Sequence, residues 1–313
     1  MKKSKTILDL LSMLLYSVVI LLTIGCNKEL KENQPTLFEP GNISTASIEY
    51  GLTFSSSGSE IYFSKSNDQW GKGDVVSYIY YSVYKKATWS KPKLASFSGK
   101  YDDSAPYLTN QGKTLYFISK RPSEGIVEVS MDIWKVERSD SGEWGVPIRL
   151  DEPINSSANE YCLRTDTYGN LYFASDRKSG YGQGDLYMAK KTNDQYDPPI
   201  NLGNSLNTEF GEWNLEVNQK GDLILFEASQ RKENLSSYGD LYISFKKNDQ
   251  WSVPQNIQEI NTTGSDLYPE LIEDTNTLYY SSSDSLESTQ TNIYFIDFEN
   301  LYKKYRKSAV FQE

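Results

Sequence analysis

Histidine is absent from the sequence, and only two of its 313 residues are cysteines. Histidine is the base in Ser-His-Asp and Cys-His nucleophile systems and a frequent zinc ligand, so its absence excludes these chemistries. The sequence also lacks a CxxC pair, an EF-hand loop and a GxSxG motif. If the protein is an enzyme, carboxylates, tyrosines or lysines must carry out its reaction.

Acidic residues outnumber basic residues. The chain has 32 Lys and Arg against 42 Asp and Glu, which gives a formal net charge of −10. Proteins that bind nucleic acid or an anionic lipid surface do so through Lys and Arg contacts with phosphates. The composition therefore predicts that nucleic acid is not a partner and that an anionic membrane surface is not the main one.

Only one apolar run approaches membrane-spanning length. Residues 10–24 are apolar apart from serine and threonine, but about 15 residues fall short of the roughly 20 that a transmembrane helix needs. A basic start precedes the run at Lys2, Lys3 and Lys5. This layout is typical of a secretory signal.

The apolar run ends at Gly25-Cys26, and this ending resembles the bacterial lipobox, with Thr23 where leucine is usual. The resemblance implies that residues 1–25 are a lipoprotein signal peptide, that Cys26 is lipidated, and that residues 26–34 are a tether. It also implies a lipid anchor in the cell envelope, at the outer membrane, with the periplasmic or surface side left open. An ordinary cleaved signal or an uncleaved anchor is the alternative. Cys162 is then the only free thiol, and its apolar surroundings predict a buried, inert side chain.

Five units with a common layout follow. Each begins at a proline and contains short apolar segments separated by Gly, Asn or Asp turns, which predicts a small antiparallel sheet. The prolines are Pro35, Pro92, Pro147, Pro199 and Pro254, about 52 to 57 residues apart, in the range of propeller blades. One such sheet cannot cover both of its apolar faces, so the copies are expected to stack.

Further columns repeat at the same spacing. The turn of the first hairpin holds Gly58, Gly112, Gly169, Gly221 and Asn276, residue types that accept the positive φ of such a turn. The second strand contains Ile61-Tyr62-Phe63, Leu115-Tyr116-Phe117, Leu171-Tyr172-Phe173, Leu223-Ile224-Leu225-Phe226 and Leu278-Tyr279-Tyr280. The third contains Tyr78-Ile79-Tyr80, Asp132-Ile133-Trp134, Asp185-Leu186-Tyr187, Asp240-Leu241-Tyr242 and Asn292-Ile293-Tyr294. An aromatic residue opens the predicted fourth strand at Trp89, Trp144, Tyr196 and Trp251.

These columns resemble the WD40-like β-propeller repeats of TolB-type proteins, over residues 35–298. The resemblance implies an all-β fold consisting of a single propeller with four-stranded blades. It does not specify a function, because propellers host unrelated activities.

Closure of the ring follows from the two ends of the repeat region. Residues 35–45 match the start of a unit but have no preceding sheet, whereas the fifth unit ends at residues 292–298 without its fourth strand. The N-terminal strand is therefore expected to complete the last sheet, which protects two sheet edges. This predicts five blades, with six as the alternative. The basic C-terminal tail, residues 299–313, is expected to pack on the acidic body or to dock on lipid headgroups.

An acidic residue recurs at the start of the predicted innermost strand of every unit, at Glu49, Asp103, Glu160, Glu212 and Asp266. The propeller resemblance places these five carboxylates in a ring at one channel mouth. Such a ring could bind a cation such as Ca²⁺, or attract a basic partner segment. Two of the acids could serve as acid and base in a glycosidase. Repetition in every blade equally favours a scaffold role, in which the acids accept hydrogen bonds from the adjoining turns.

The loops between the second and third strands supply candidates for a recognition face. Arg121, Arg177 and Arg231 recur there and precede Asp132, Asp185 and Asp240, which suggests an ion pair inside each blade. The alternative is that the arginines are exposed for recognition. Trp70, Tyr181 and Tyr238 lie in equivalent loops and could stack on sugars or anchor a protein partner.

Two functions remain open. The first is a non-catalytic envelope lipoprotein whose propeller face binds a protein or peptide partner in a scaffold or assembly role. The second is a carbohydrate-binding or glycan-active protein, because the family of five-bladed propellers includes carboxylate-dependent glycosidases. The absence of histidine favours the first.

Overall fold

Each repeat folds into an antiparallel sheet because its first hairpin closes through a left-handed turn residue. The column predicted for this position has positive φ throughout: Gly58 (66°), Gly112 (82°), Gly169 (79°), Gly221 (68°) and Asn276 (49°). Such φ values cost glycine little and asparagine less than most residues. The prediction for this column is confirmed.

The computed structural model describes residues 33–69, 74–123, 130–285 and 287–311. In chain order its strands are β1 (Thr36–Leu37), β2 (Ile48–Phe54), β3 (Glu60–Ser66), β4 (Ser77–Lys85), β5 (Thr88–Trp89), β6 (Lys93–Leu94), β7 (Asp103–Thr109), β8 (Thr114–Ser119), β9 (Asp132–Glu137), β10 (Ile148–Arg149), β11 (Glu160–Thr165), β12 (Leu171–Ser175), β13 (Asp185–Ala189), β14 (Lys191–Thr192), β15 (Gln195–Tyr196), β16 (Ile200–Asn201), β17 (Glu212–Val217), β18 (Leu223–Ala228), β19 (Asp240–Lys247), β20 (Gln250–Trp251), β21 (Gln255–Asn256), β22 (Asp266–Ile272), β23 (Thr277–Ser282) and β24 (Asn292–Asp297). Short 3₁₀ turns span Asn110–Gly112 and Glu273–Thr275.

The strands form five four-stranded blades of a β-propeller. From the innermost strand outward, blade 1 is β2-β3-β4-β6, blade 2 is β7-β8-β9-β10, blade 3 is β11-β12-β13-β16, blade 4 is β17-β18-β19-β21, and blade 5 is β22-β23-β24-β1. The five-bladed, all-β prediction is confirmed, and the six-blade alternative is wrong.

The N-terminal strand closes the ring, as predicted. Strand β1 is the outer strand of blade 5, with Thr36 opposite Phe295 and Leu37 opposite Tyr294. The next residue continues the pairing, because the backbone N–H of Phe38 donates to the carbonyl of Ile293 at 2.8 Å. Two segments about 250 residues apart in the sequence thus share one sheet.

Aromatic side chains of the second strands form the core between blades. The last residue of the repeated apolar segment is buried in every blade, at Phe63, Phe117, Phe173, Phe226 and Tyr280. Cys162 is also buried, and burial raises the pKa of its thiol to about 11, so it is protonated and unreactive at neutral pH.

One detail of the predicted strand order is wrong. Trp89, Tyr196 and Trp251 do not open the fourth strand but lie in short hairpins, which extend the third strand in blades 1 and 4 and follow it in blade 3. Trp144 pairs with Arg138 in an equivalent bridge. The outer strand comes after the following proline and is only two residues long in each blade.

The C-terminal tail forms a helix, α1 (Phe298–Lys307), which Asp297 caps by accepting a hydrogen bond from the Glu299 N–H. Its apolar side, with Phe298, Leu301 and Tyr305, packs on the core of blades 4 and 5. Within the described residues, no helix combines the length and apolar character needed to span a lipid bilayer. The signal peptide of residues 1–25, Cys26 and nearly all of the tether lie outside the described residues, so those predictions stay untested.

Phe38 should be a large contributor to ring closure. Its side chain is 7% exposed and meets the rings of Phe54, Trp89 and Tyr279 at centroid distances of 6.1, 6.1 and 5.4 Å. Phe38→Ala is expected to lower the free energy of unfolding in urea by about 3 to 5 kcal/mol, because it leaves a cavity where blades 5 and 1 meet.

The matched control is Ile200→Ala, since Ile200 lies on the outer strand of blade 3 and is 56% exposed. We expect it to change the free energy of unfolding by less than about 1 kcal/mol. Equal losses in the two variants would contradict the closure role of Phe38.

Candidate functional site

The two faces of the propeller differ in what they carry. On the loop face, defined by the loops between second and third strands, the inner strands begin. On the turn face, defined by the first-hairpin turns, the inner strands end. All five inner strands contain a register irregularity near their start, between residues 50 and 53, 104 and 107, 160 and 163, 212 and 215, and 267 and 270. Such bulges redirect the side chains that follow them.

The five repeated acids lie at the beginning of the inner strands, and their residues are fully buried: Glu49, Asp103, Glu160, Glu212 and Asp266. Each accepts hydrogen bonds from a Ser or Thr a few residues earlier. Glu160, for example, accepts the backbone N–H of Ser156 at 3.1 Å and its hydroxyl at 2.6 Å. Glu212 is bonded in the same way by Thr208 at 2.8 and 2.7 Å. The carboxylates therefore fasten the loop that leads into each inner strand.

Basic side chains neutralise four of these acids within their own blades. The pairs are Lys65 with Glu49 (3.1 Å), Arg121 with Asp103 (2.6 Å), Arg177 with Glu160 (3.0 Å) and Arg231 with Glu212 (2.8 Å). The arginines thus form the predicted ion pairs inside their blades, but with the inner-strand acids rather than with Asp132, Asp185 and Asp240. Asp132 pairs with Arg149, whereas Asp185 and Asp240 bind backbone N–H groups and an asparagine.

The loop-face candidates separate into two groups. The arginines Arg121, Arg177 and Arg231 are not exposed there, because their side chains are only 8, 14 and 10% accessible. Tyr181 and Tyr238 are each 55% exposed, and Tyr238 lines a small cavity of about 60 Å³ with Tyr50 and Leu267. Trp70 lies outside the described residues.

Asp266 differs from the other four acids because no described basic side chain pairs with it. It accepts hydrogen bonds from Thr262 and from the Ser282 hydroxyl. Burial raises its pKa to about 7, against these hydrogen bonds. Glu227 of blade 4 is a second buried acid without a cation, and burial raises its pKa to about 8, opposed by a hydrogen bond from Asn214.

Among the described residues, no group of three or more acids or cysteines is arranged to hold a metal ion. The suggestion of Ca²⁺ at the acidic ring therefore gains no support from the geometry and stays a prediction. The ring acids are occupied by protein donors instead.

A different set of side chains meets on the propeller axis, four residues after each repeated acid. This axial cluster consists of Thr53, Tyr107, Arg164, Glu216 and Glu270, one from each blade. Arg164 joins them: its Nε lies 2.5 Å from Glu216 Oε2 and its Nη2 3.1 Å from Glu270 Oε2. Its guanidinium also lies 4.9 Å from the centre of the Tyr107 ring, and Thr53 donates to Glu270 Oε1 at 3.1 Å.

The axial cluster is buried and carries two acids for one base. Arg164 is 2% exposed, Glu216 7% and Glu270 6%. Burial raises the pKa of Glu216 well above its usual range; Arg164 opposes this shift and the nearby Glu270 adds to it. The pKa of Glu270 is raised by burial as well, against the effects of Arg164 and Thr53. A second cation near these carboxylates would favour their ionised forms.

Part of the axial cluster forms the floor of a cavity on the turn face, here called the bowl, with a volume of about 730 Å³. Tyr107, Glu216 and Glu270 line it, together with the first-hairpin turns around Ser56 and Asp274. This volume lies in the range of about 300 to 1,000 Å³ that is typical of ligand pockets.

Sequence reasoning missed the axial cluster. The signal was present, because the column four residues after the acids reads Thr, Tyr, Arg, Glu, Glu within otherwise apolar strands. This column varies between blades, whereas the buried acids at the start of the inner strands repeat in every blade.

Comparisons with known proteins support the fold alone. No family model and no curated protein matches the sequence. A solved α-L-arabinofuranosidase of Podospora anserina is 12% identical with a TM-score of 0.51, covering 84% of this chain and 93% of its own. The catalytic domain of a Coprinopsis cinerea GH62 α-L-arabinofuranosidase is 12% identical with a TM-score of 0.50, covering 81% and 92%. A TolB-like protein of Agrobacterium tumefaciens is 12% identical with a TM-score of 0.48, covering 77% and 72%.

The unpaired acid predicts a pH-dependent stability. Because the pKa of Asp266 is about 7 in the folded protein and about 3.9 in an unfolded chain, its ionisation costs stability from about pH 4 upward and costs most above pH 7. Asp266→Asn removes this cost, so its free energy of unfolding relative to wild type should rise by about 1 to 3 kcal/mol between pH 5 and pH 8.

Glu212→Gln is the matched control, because it leaves the buried Arg231 without its carboxylate. It should lose about 3 kcal/mol at both pH values in the same denaturation experiment. A similar loss in both variants at pH 8 would show that Asp266 is no different from the paired acids.

Proposed function

We propose that this protein is a non-catalytic envelope lipoprotein whose propeller binds a protein or peptide partner in the axial bowl. One observation carries the proposal: three residues of the inner-strand column that varies between blades, Tyr107, Glu216 and Glu270, form the floor of a cavity of ligand size. Residues that serve the scaffold repeat in every blade, as the buried acids do. Side chains that serve a ligand have no such reason to repeat.

The bonding of the two floor glutamates favours binding over catalysis. A glycosidase needs one carboxyl group that donates a proton and one that stays ionised, in different environments. Glu216 and Glu270 bind the same guanidinium, and burial raises the pKa of both, so their environments do not set one apart as the acid and the other as the base. This arrangement supports a rigid, charged floor for a ligand.

A glycan is the second candidate ligand, favoured by the aromatic wall of the bowl. Phe54 lies 6.2 Å from Trp89 and 4.7 Å from Tyr279, and Tyr84 lies 5.2 Å from Trp89. All four line the bowl, and aromatic faces can stack on sugars. The arabinofuranosidases of similar fold make a sugar ligand worth testing, although their identity of 12% carries no function over.

Lipid anchoring at Cys26 is the basis for placing the protein in the envelope. If the lipobox resemblance is correct, cells fed an alkyne-labelled fatty acid should incorporate label into the wild-type protein and not into Cys26→Ser. Cys162→Ser is the control and should keep the label, because its thiol is buried. Label in Cys26→Ser would contradict the anchor.

Filling the bowl should remove partner binding. Ser56 is exposed on a turn that lines the bowl, and Ser56→Trp places a large side chain in that space. We expect at least a tenfold loss of photo-crosslinked partner in intact envelopes, measured by mass spectrometry against wild type.

The double variant Tyr181→Ala, Tyr238→Ala is the control, because it alters the loop face only. Loss of the crosslink in this variant and not in Ser56→Trp would show that the partner binds the loop face instead of the bowl. Binding or cleavage of a neutral oligosaccharide panel that Ser56→Trp abolishes would instead support the glycan ligand.

A further inference from the structure

The charges around the bowl are of one sign. Among the described residues that line it, the charged side chains are all acids: Glu39, Glu216, Glu270, Glu273 and Asp274. Arg164 does not line the cavity, since it lies beneath the floor at 2% exposure. A cavity with this lining attracts cations and repels anions.

The floor also offers a free acceptor. The side chain of Glu216 is 9% exposed and binds Arg164 through Oε2 only. No described residue donates a hydrogen bond to its Oε1, although Glu216 lines the bowl. Both oxygens of Glu270, in contrast, are taken by Thr53 and Arg164. Because Glu216 lines the bowl, a ligand donor placed there could form a charge-assisted hydrogen bond with this oxygen.

The aromatic wall of the bowl is complementary to the apolar part of a ligand whose donor group binds Glu216. Tyr84, Trp89, Phe54 and Tyr279 form a continuous aromatic surface along one side of the bowl. Aromatic faces pack on methylene groups and attract cations. A volume of about 730 Å³ exceeds one side chain, so the bowl takes a short stretch of chain as well.

We infer that the bowl receives a lysine or arginine side chain of a partner polypeptide, with its cationic head bonded to Glu216 and its stem against the aromatic wall. This inference rests on the proposed function and adds the chemistry of the ligand. The charge complementarity and the free acceptor favour a cation over a neutral sugar.

The groups that face Glu216 define how binding depends on pH. They are Arg164 on β11, Glu270 on β22, Glu273 in the following turn and Tyr107 on β7. Burial raises the pKa of Glu216, with the two glutamates adding to the shift and Arg164 opposing it. A cationic ligand binds the ionised form better, so its affinity should increase as the pH rises from 5.5 to 8.

The test is calorimetric titration of the full chain with three probes. They are an octapeptide of alternating lysine and serine, the same peptide with every lysine acetylated, and a neutral arabino-oligosaccharide. The lysine peptide should bind wild type at least tenfold more tightly than the acetylated peptide, and more tightly at pH 8 than at pH 5.5. Glu216→Gln, which keeps the shape but removes the charge, should lose at least tenfold in affinity for the lysine peptide.

A rim variant protects the test against misfolding of Glu216→Gln. Asp274 is exposed at the bowl, and Asp274→Lys should lower the affinity for the lysine peptide at least threefold. Asp194→Lys makes the same charge change on an exposed hairpin outside the bowl and should leave the affinity unchanged.

The outcomes separate the inference from the proposed function. Equal binding of both peptides, lost in Ser56→Trp, would overturn the cationic ligand and leave the bowl as the partner site. Binding of the oligosaccharide alone would overturn the protein partner as well. Equal losses in Asp274→Lys and Asp194→Lys, or no binding of the lysine peptide at about 1 mM, would also overturn the inference.

Discussion

The pairing of β1 with β24 is the constraint on which the remaining structure depends. A propeller blade packs its sheet against the two neighbouring blades, so an open row of five blades would leave two bare sheet edges and no axis. One short strand pair and the buried ring of Phe38 join segments from the two ends of the repeat region. Closure brings the five inner strands around a common centre, and the axial cluster exists only because of it.

The same inner strands carry two kinds of polar residue with opposite patterns. The buried acids repeat in every blade and fasten the preceding loop, with a basic partner in four blades of five. The axial residues differ in every blade except for Glu216 and Glu270. Uniform positions therefore maintain the fold, whereas varied positions shape the floor of the bowl. This division between scaffold and site allows a propeller to change its ligand without changing its architecture.

Most of the fold could be predicted from the sequence, and most of the site could not. Positive φ at Gly58 or Asn276 is a local requirement that residue type reveals, and the matching deficits at the two ends predicted closure. The partner of Arg121 depends instead on where a loop folds back. The bulges made the axial residues hard to predict. In blade 3, two residues lie between Glu160 and Leu163, whereas only one lies between their partners Ser175 and Phe173. That extra residue turns Arg164 to the face opposite the one that even spacing predicts.

Arg164 also affects how cooperatively the molecule unfolds. Repetitive architectures held by neighbour contacts alone tend to lose their modules one after another. Here the guanidinium of Arg164 in blade 3 forms salt bridges with Glu216 of blade 4 and Glu270 of blade 5 and packs over the ring of Tyr107 in blade 2. These contacts connect blades that do not share a sheet. Unfolding of any one of these blades would remove a partner from a buried charge, which destabilises partly unfolded states. Arg164 thereby couples the blades into a single cooperative unit.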